Sequence, residues 1–579
     1  MSRLADAYLR LATGLPPESM QRLAHVADRL CCGERNARLQ LARMQAAGWL
    51  RWTPGRGRGR LSRLALLQAA EAPRLAQRQA LLAAGRLEEA FSGLPAPARA
   101  EVADAMPGHL GAAPGGGLRI PFYRPLHALD PIQVQRRTEA HIVSQLCDGL
   151  TTYALDREAV APALAHHWQA DASGLHWRFW LRPGLTFHDG RPVTTDDAVR
   201  SLRRLRDTPG PHRPLFAHVK RLAASGDRID IQLASVDHLL PNRLAHHAAA
   251  ILPADDWRRP DFASRPVGTG AFSLRRNNDH RATLARFDGH WRERALLAEI
   301  DLWVVPAGSP MPAVDLRLGQ AASVPAPMRR GGDWRRLTQA EEGCDFVLLN
   351  PSRGAFASTA TRVAIGAWLR GRVARTALGP AHTLATGWLP RWQHLGAPAS
   401  QGPAPSLARD VRLPRRLRLV TYQLDAHRQL AACVAAAFAE RGVQVDVDVL
   451  PFPVFERLAW RDDADLVVSG EVYYDDLEMG QFTTLASDPL VHAWLPAGVR
   501  RWLARACTAI AAEPVFARRA AAMEVAFARL VREGAVLPMR HALQRLEHAP
   551  GVGGVSLARC GWMDFRRLWL AGSGAGATQ

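Results

Sequence analysis

Residues 177–193 read Trp-Arg-Phe-Trp-Leu-Arg-Pro-Gly-Leu-Thr-Phe-His-Asp-Gly-Arg-Pro-Val. Aromatic and polar residues partly alternate, and Asp189-Gly190 supplies a tight turn, so the stretch predicts two strands. Thr194-Thr-Asp-Asp197 follows at once. With Thr194 at the N-cap and Asp197 three residues on, it forms a capping box and starts a helix through Leu202. Farther on, Pro266-Val-Gly-Thr-Gly270 precedes an apolar strand, Ala271 to Leu274. Its glycines permit a sharp backbone turn. Strand-like and helix-like segments alternate in this way from Leu118 to the C-terminus, which predicts a two-lobed α/β body over residues 118–570.

Composition sets the outer limits. The chain has 579 residues, 47% hydrophobic and 22% charged, a globular balance. Its formal charge is +20, carried by 74 basic against 54 acidic residues. Lys220 is the one lysine, so the arginine excess resembles codon bias from a GC-rich genome, and only local clusters of arginine carry functional weight. Seven cysteines without CxxC spacing exclude a disulfide framework and a cysteine metal site. No run reaches the roughly 18 apolar residues of a membrane span. Met1–Leu15 has no continuous apolar core and no small-residue cleavage site, so it does not read as a secretory signal. The expected location is the cytoplasm.

The N-terminal 70 residues carry 12 arginines against Asp6, Glu18, Asp28 and Glu34. Leu4, Tyr8 and Leu11 recur at helical spacing. A second helix is predicted over Ser19–Leu30, with Met20, Leu23, Val26, Ala27 and Leu30 inward. Cys31-Cys32-Gly33 forms a turn. A third helix, Glu34–Ala47, turns Leu39, Leu41, Met44 and Ala47 inward and leaves Arg35, Asn36, Arg38, Gln40 and Arg43 outside. Gly48 stands where a C-cap glycine belongs. Trp49–Trp52 and Leu61–Leu67 read as strands around the basic tip Thr53–Arg60. This is the layout of a winged helix-turn-helix. The third helix suits the major groove, and Arg56, Arg58, Arg60 and Arg63 suit the DNA backbone or a narrow minor groove. A helical oligomerisation module and an RNA-binding Arg-Gly stretch are the competing readings. Residues 71–117 form a helical connector and a Gly/Pro linker, and residues 571–579 a flexible tail.

Trp177–Val199 and Pro266–Phe272 closely resemble signature segments of the family 5 solute-binding proteins. That resemblance implies a class II periplasmic-type clamp closing on a solute. A winged helix in front of such a clamp resembles the SgrR-type transcriptional regulators. The likeness runs through Met44–Trp52, Gly57–Leu64, Arg119–Arg124, Arg136–His141, Ala165–Trp168, His176–Gly184, Glu341–Cys344, Leu389–His394 and Gly561–Phe565. The wing departs from the pattern in having Arg60 where lysine or another base is expected. The linker is also richer in Gly and Pro. The resemblance implies activation of stress-response transcription when sugar phosphates accumulate, with autorepression and RNA polymerase as a further partner.

A phosphorylated solute needs arginine forks, and its sugar ring needs aromatic faces. Arg124 and His127 follow the first body strand, Leu118–Tyr123. Arg136, Arg137 and His141 open the next helix, where backbone amides also favour anions. Tyr123, Arg124, His127, Arg137 and His141 are therefore candidate ligand residues. Trp388, Arg391 and Trp392 are candidates from the second lobe, and Trp562 and Asp564 from the C-terminal return. Adjacent His166-His167 does not suggest a metal. No GxSxG, HExxH or P-loop pattern occurs, so no enzyme, catalytic residue, metal or cofactor is expected. The partners expected are double-stranded DNA and a small effector, a sugar phosphate or a peptide-like solute, with no membrane. The alternative is a solute-binding protein of an import system of the oligopeptide type.

Overall fold

The computed structural model describes residues 2–55, 60–70, 72–83, 117–304, 316–320, 334–376, 378, 381–395, 407 and 411–571. Residues 84–116 of the expected connector and linker, residues 572–579 of the expected tail, and Arg56 and Arg58 therefore lie outside the described residues.

The N-terminal unit contains α1 (Ser2–Ala12), β1 (Glu18–Gln21), α2 (Leu23–Arg29), α3 (Glu34–Ala46), β2 (Leu50–Thr53), β3 (Ser62–Leu66) and α4 (Ala72–Ala83). Tyr8, Leu11, Val26, Leu30, Ala37, Leu41, Met44, Leu50 and Leu64 form its core. The Tyr8 hydroxyl lies 2.7 Å from the Gln68 carbonyl oxygen and 3.1 Å from that of Trp49, and so pins α1 to both ends of the wing. Gly48 follows α3 with φ +73°, which a glycine adopts without Cβ strain.

Two expectations fail here. Ser19–Gln21 is not helix: it belongs to β1, which pairs antiparallel with β3 as the third strand of the wing sheet. Met20 is exposed as a result. Leu39 and Ala47 also point outward, and Ala37 takes the inward place. The helical period is satisfied by Ala37, Leu41 and Met44 alone.

The body begins with β4 (Gly117–Phe122) and α5 (Arg137–Leu146). A hairpin follows, β5 (Thr151–Ala154) and β6 (Ala159–Pro162). The next sheet has the order β7-β8-β10-β9, from Ala165–Ala170, His176–Leu181, Arg228–Leu233 and Val219–Ser225. The capping box forms as expected, with Thr194 and Asp197 heading α6 (Thr195–Asp207). The second half of residues 177–193 is not a full strand, however. Only a Thr186–Pro192 bridge closes the turn at Gly190.

A third sheet, in the order β11-β12-β13-β4, uses Phe272–Asn277, Arg281–Arg286 and Glu299–Val304. The glycines before β11 serve close approach. A Cβ at Gly268 or Gly270 would lie 2.2 Å from the Leu146 carbonyl oxygen or 2.4 Å from that of Gln145.

The second lobe is built on a sheet in the order β14-β21-β16-β20-β18-β19 (Leu316–Gln320, Leu537–His548, Gly343–Leu349, Leu466–Val472, Arg416–Tyr422, Gln444–Leu450). β15 (Arg335–Ala340) and β17 (His382–Leu384) also pair with β21. β18 runs parallel to β19 and β20, and β16 runs antiparallel to β20. β21 joins the lobes. Its start pairs with β16, while Leu546 near its end enters the first-lobe core with Leu118, Ile120 and Phe272. Trp562 and Phe565 share that core, so the chain does return to the first lobe. Among the described residues no helix is long and apolar enough to cross a membrane.

Candidate functional site: a basic helix-wing face and an interlobe cleft

Ala37, Leu41 and Met44 anchor one side of α3. The opposite side presents Arg35, Asn36, Arg38, Leu39 and Arg43 to solvent. Arg38 lies 3.5 Å from Glu34, one turn earlier. Gln40 is half-buried, with its amide nitrogen 3.7 Å from the Cys32 sulfur. Gln45 accepts the Trp52 backbone N–H at 2.8 Å and ties the end of α3 to the wing. Arg60 and Arg63 are exposed on the wing, and Arg63 Nε donates to Glu18 at 2.9 Å.

In the body, the start of α5 meets the segments that follow the C-terminal ends of β18, β19 and β20, which is the side of an α/β sheet where ligands usually bind. Arg137 Nη1 donates to Glu341 at 3.0 Å, and Gln544 of β21 donates to the same oxygen at 2.6 Å. The Tyr474 hydroxyl donates to the Arg137 carbonyl at 3.3 Å, and Gln135 bonds Glu456 at 3.2 Å. Arg136 stacks 4.4 Å over Phe452. Its Nη1 is 2.9 Å from His127 Nε2. Burial and the nearby Arg124 lower the pKa of His127, so the neutral ring accepts that bond. Burial, and then Arg124, also lower the pKa of Arg136.

Arg124 is a different case. It forms a fork with the buried Glu139, at 2.5 and 3.0 Å. Burial disfavours both charges, but the pair more than offsets it, holding Arg124 up and Glu139 down. Glu139 also accepts the His127 backbone N–H at 2.8 Å.

Comparison with known proteins gives this geometry a family. Residues 159–488 match the model of the bacterial extracellular solute-binding proteins, family 5 middle region. Residues 3–113 match that of the sugar transport-related sRNA regulator N-terminal region. The HTH-type transcriptional regulator SgrR of Salmonella typhi is 30% identical over 585 residues, covering 98% of this chain and 99% of that one. The chain belongs to the SgrR family. It is an SgrR-type regulator with a family 5 solute-binding domain. The SgrR of Escherichia coli O1:K1 / APEC is 28% identical over 598 residues, with the same coverage.

Solved structures show the same fold in the body of this SgrR-family chain. The agropinic acid complex of AgaA from A. tumefaciens R10 matches with a TM-score of 0.65 at 18% identity, over 79% of this chain and 99% of that one. The Escherichia coli murein tripeptide binding protein MppA matches with a TM-score of 0.64 at 17% identity, over the same shares.

The fold gathers some predicted residues and not others. Tyr123, Arg124, His127 and Arg137 cluster around α5 as expected, with Tyr123 exposed. Arg136, absent from the predicted set, lies among them. His141 is buried, stacked on Trp562 at 5.0 Å and edge-on to Phe565. Burial takes its pKa down to about 3.

Trp388 is core: its ring stacks on Phe346 and Phe527, and its N–H reaches the Tyr473 hydroxyl at 2.5 Å. Trp392 packs on Phe527, with Arg391 exposed over it. Trp562 is buried, and Asp564 is held by Arg566 at 2.8 Å. These rings therefore serve packing, which a tryptophan's large apolar area favours. Against the start of α5 the second lobe instead brings Phe452, under Arg136, and the Tyr474 hydroxyl, bonded to the Arg137 carbonyl. Neither Phe452 nor Tyr474 belongs to the predicted set, since their meeting with α5 depends on positions more than 300 residues apart in the chain.

Proposed function

We propose that this chain is a cytoplasmic transcriptional regulator that binds double-stranded DNA through α3 and the wing and senses a small solute in the cleft. One observation carries the reading: a basic helix-wing face stands in front of a solute-binding body in a chain collinear with SgrR regulators over 98% of its length. Arg35, Asn36, Arg38, Gln40 and Arg43 are the proposed groove contacts, and Arg56, Arg58, Arg60 and Arg63 the proposed backbone contacts. Solute closes the clamp and alters DNA binding or recruitment of RNA polymerase, activating stress-response genes. A ligand shifts that balance only by its difference in affinity for the two states.

The effector implied by the family is a sugar phosphate. A phosphate would take Arg136 and compete with Glu139 and Glu341 for Arg124 and Arg137. Those existing ion pairs favour a second reading, in which the solute bears no phosphate.

The test is fluorescence anisotropy of the full chain on DNA from its own upstream region and on scrambled DNA, with and without sugar phosphates. Upstream preference altered by a solute supports the reading. Equal binding to both DNAs under all conditions overturns the operator assignment.

A further inference from the structure

We propose that the open face of the β7-β8-β10-β9 sheet binds single-stranded nucleic acid, apart from both the helix-wing face and the start of α5. The sheet is antiparallel throughout, so alternate residues share a face. Trp177, Phe179, Leu222, Ile229 and Ile231 point into the core, where α6 covers β9 and β10. The opposite face carries three rows. His167, Trp180 and Arg228 stand side by side on β7, β8 and β10. Gln169, Arg178 and Asp230 form the next row. His176, Gln232 and Arg221 cross β8, β10 and β9. His167, Gln169, Arg178 and Arg221 are exposed, and Trp180 and Arg228 are half-buried.

The three rows hold three arginines and one carboxylate. Asp230 accepts from Arg228 at 3.1 Å and lies 3.7 Å from Arg178. Arg221 has no carboxylate partner among the described residues. At the margin His176 meets Asp171 at 2.9 Å. In the first row the His167 ring lies 5.3 Å from the Trp180 ring, tilted by 36°.

A solvated sheet face needs only polar side chains. Two neighbouring rings among arginines supply something more, since any base can stack on the rings while the arginines meet phosphates. With strands about 4.8 Å apart and a rise of about 3.3 Å per residue, the face is about 14 Å wide and about 13 Å long. A four-stranded face of that kind stacks two or three bases. Duplex DNA fits it poorly. Its bases are already stacked on each other, and the face is wider than the major groove of about 12 Å. An acidic protein segment would use the arginines and leave the rings idle.

Fluorescence anisotropy of the full chain tests this, with labelled oligouridylate and oligothymidylate of about 12 nucleotides. Unlabelled upstream duplex in excess occupies the helix-wing face. Wild type should bind both oligonucleotides under these conditions, and Trp180→Thr at least tenfold more weakly. Arg221→Ala should flatten the slope of log affinity against log salt by about 0.7. Arg221 is exposed and unpaired, so this variant decides the matter even if Trp180→Thr disturbs the sheet. Tighter binding of one oligonucleotide upholds the proposal and identifies RNA or DNA as its source. Displacement by the duplex, full affinity in both variants, or binding of neither oligonucleotide overturns it. Equal affinity for polyglutamate overturns it as well, because an acidic chain then suffices.

Discussion

Arg137 at the start of α5 and Glu341 meet at 3.0 Å, although 204 positions separate them in the chain. Gln544 holds the same glutamate oxygen from β21, the strand shared by both lobes. One carboxylate thereby links α5 to the connecting strand. Glu341→Gln should destabilise the chain by about 1–3 kcal/mol, since Arg137 loses its counter-charge but keeps some exposure to solvent. Urea unfolding measures the loss. Small-angle scattering should show a more open particle, and an unchanged profile rejects a role for this contact in closure.

The wing prediction concerns salt. Replacing Arg56, Arg58 and Arg60 by alanine should weaken binding to all DNA sequences. The slope of log affinity against log salt should flatten by about 0.9 for each phosphate that the wing no longer neutralises. Titrations at several KCl concentrations check this.

On α3 the effect should be selective. Arg35→Ala or Asn36→Ala should cost about 1–3 kcal/mol on the preferred DNA, and little on scrambled DNA. Leu39, exposed in the middle of this face, should behave the same way if it meets a thymine methyl. Leu39→Ser then narrows the gap between preferred and scrambled DNA without lowering the melting temperature. A lower melting temperature would return Leu39 to the core.

Trp388→Ala should cost about 3–5 kcal/mol of stability, because the ring is fully buried between Phe346 and Phe527. Trp388→Phe should be milder. Solute affinity of the folded Trp388→Phe chain should match wild type, and a selective loss would restore Trp388 to the ligand wall.

Asp345 predicts the acid limb of stability. It accepts from Arg540 at 2.7 Å and lies 3.2 Å from His427. Burial would raise its pKa, but the bond to His427 and the Arg540 charge bring it down to about 2. A carboxylate depressed in this way stabilises the fold above its unfolded value and loses that contribution as pH falls through about 2. Wild type should therefore lose stability steeply below about pH 4. Asp345→Asn should start less stable at neutral pH and fall less steeply.

Signals carried by neighbours in the chain were legible from the sequence. The Thr194–Asp197 capping box, the glycine after α3 and the basic hairpin are set by residues within a few positions of one another. Together with the order of modules, they determined a winged helix followed by an α/β clamp. Three further features were decided only in the folded chain. Residues 18–21 became a strand because β3, over 40 positions away, offered an edge to pair with. Leu39 turned outward because the small Ala37 already filled the inward place, and a single helix face cannot bury both. Arg124 is neutralised by Glu139, 15 positions away, and Arg137 by Glu341. An arginine's partner depends on which distant carboxylate folding brings within hydrogen-bond reach, and local spacing does not encode that distance.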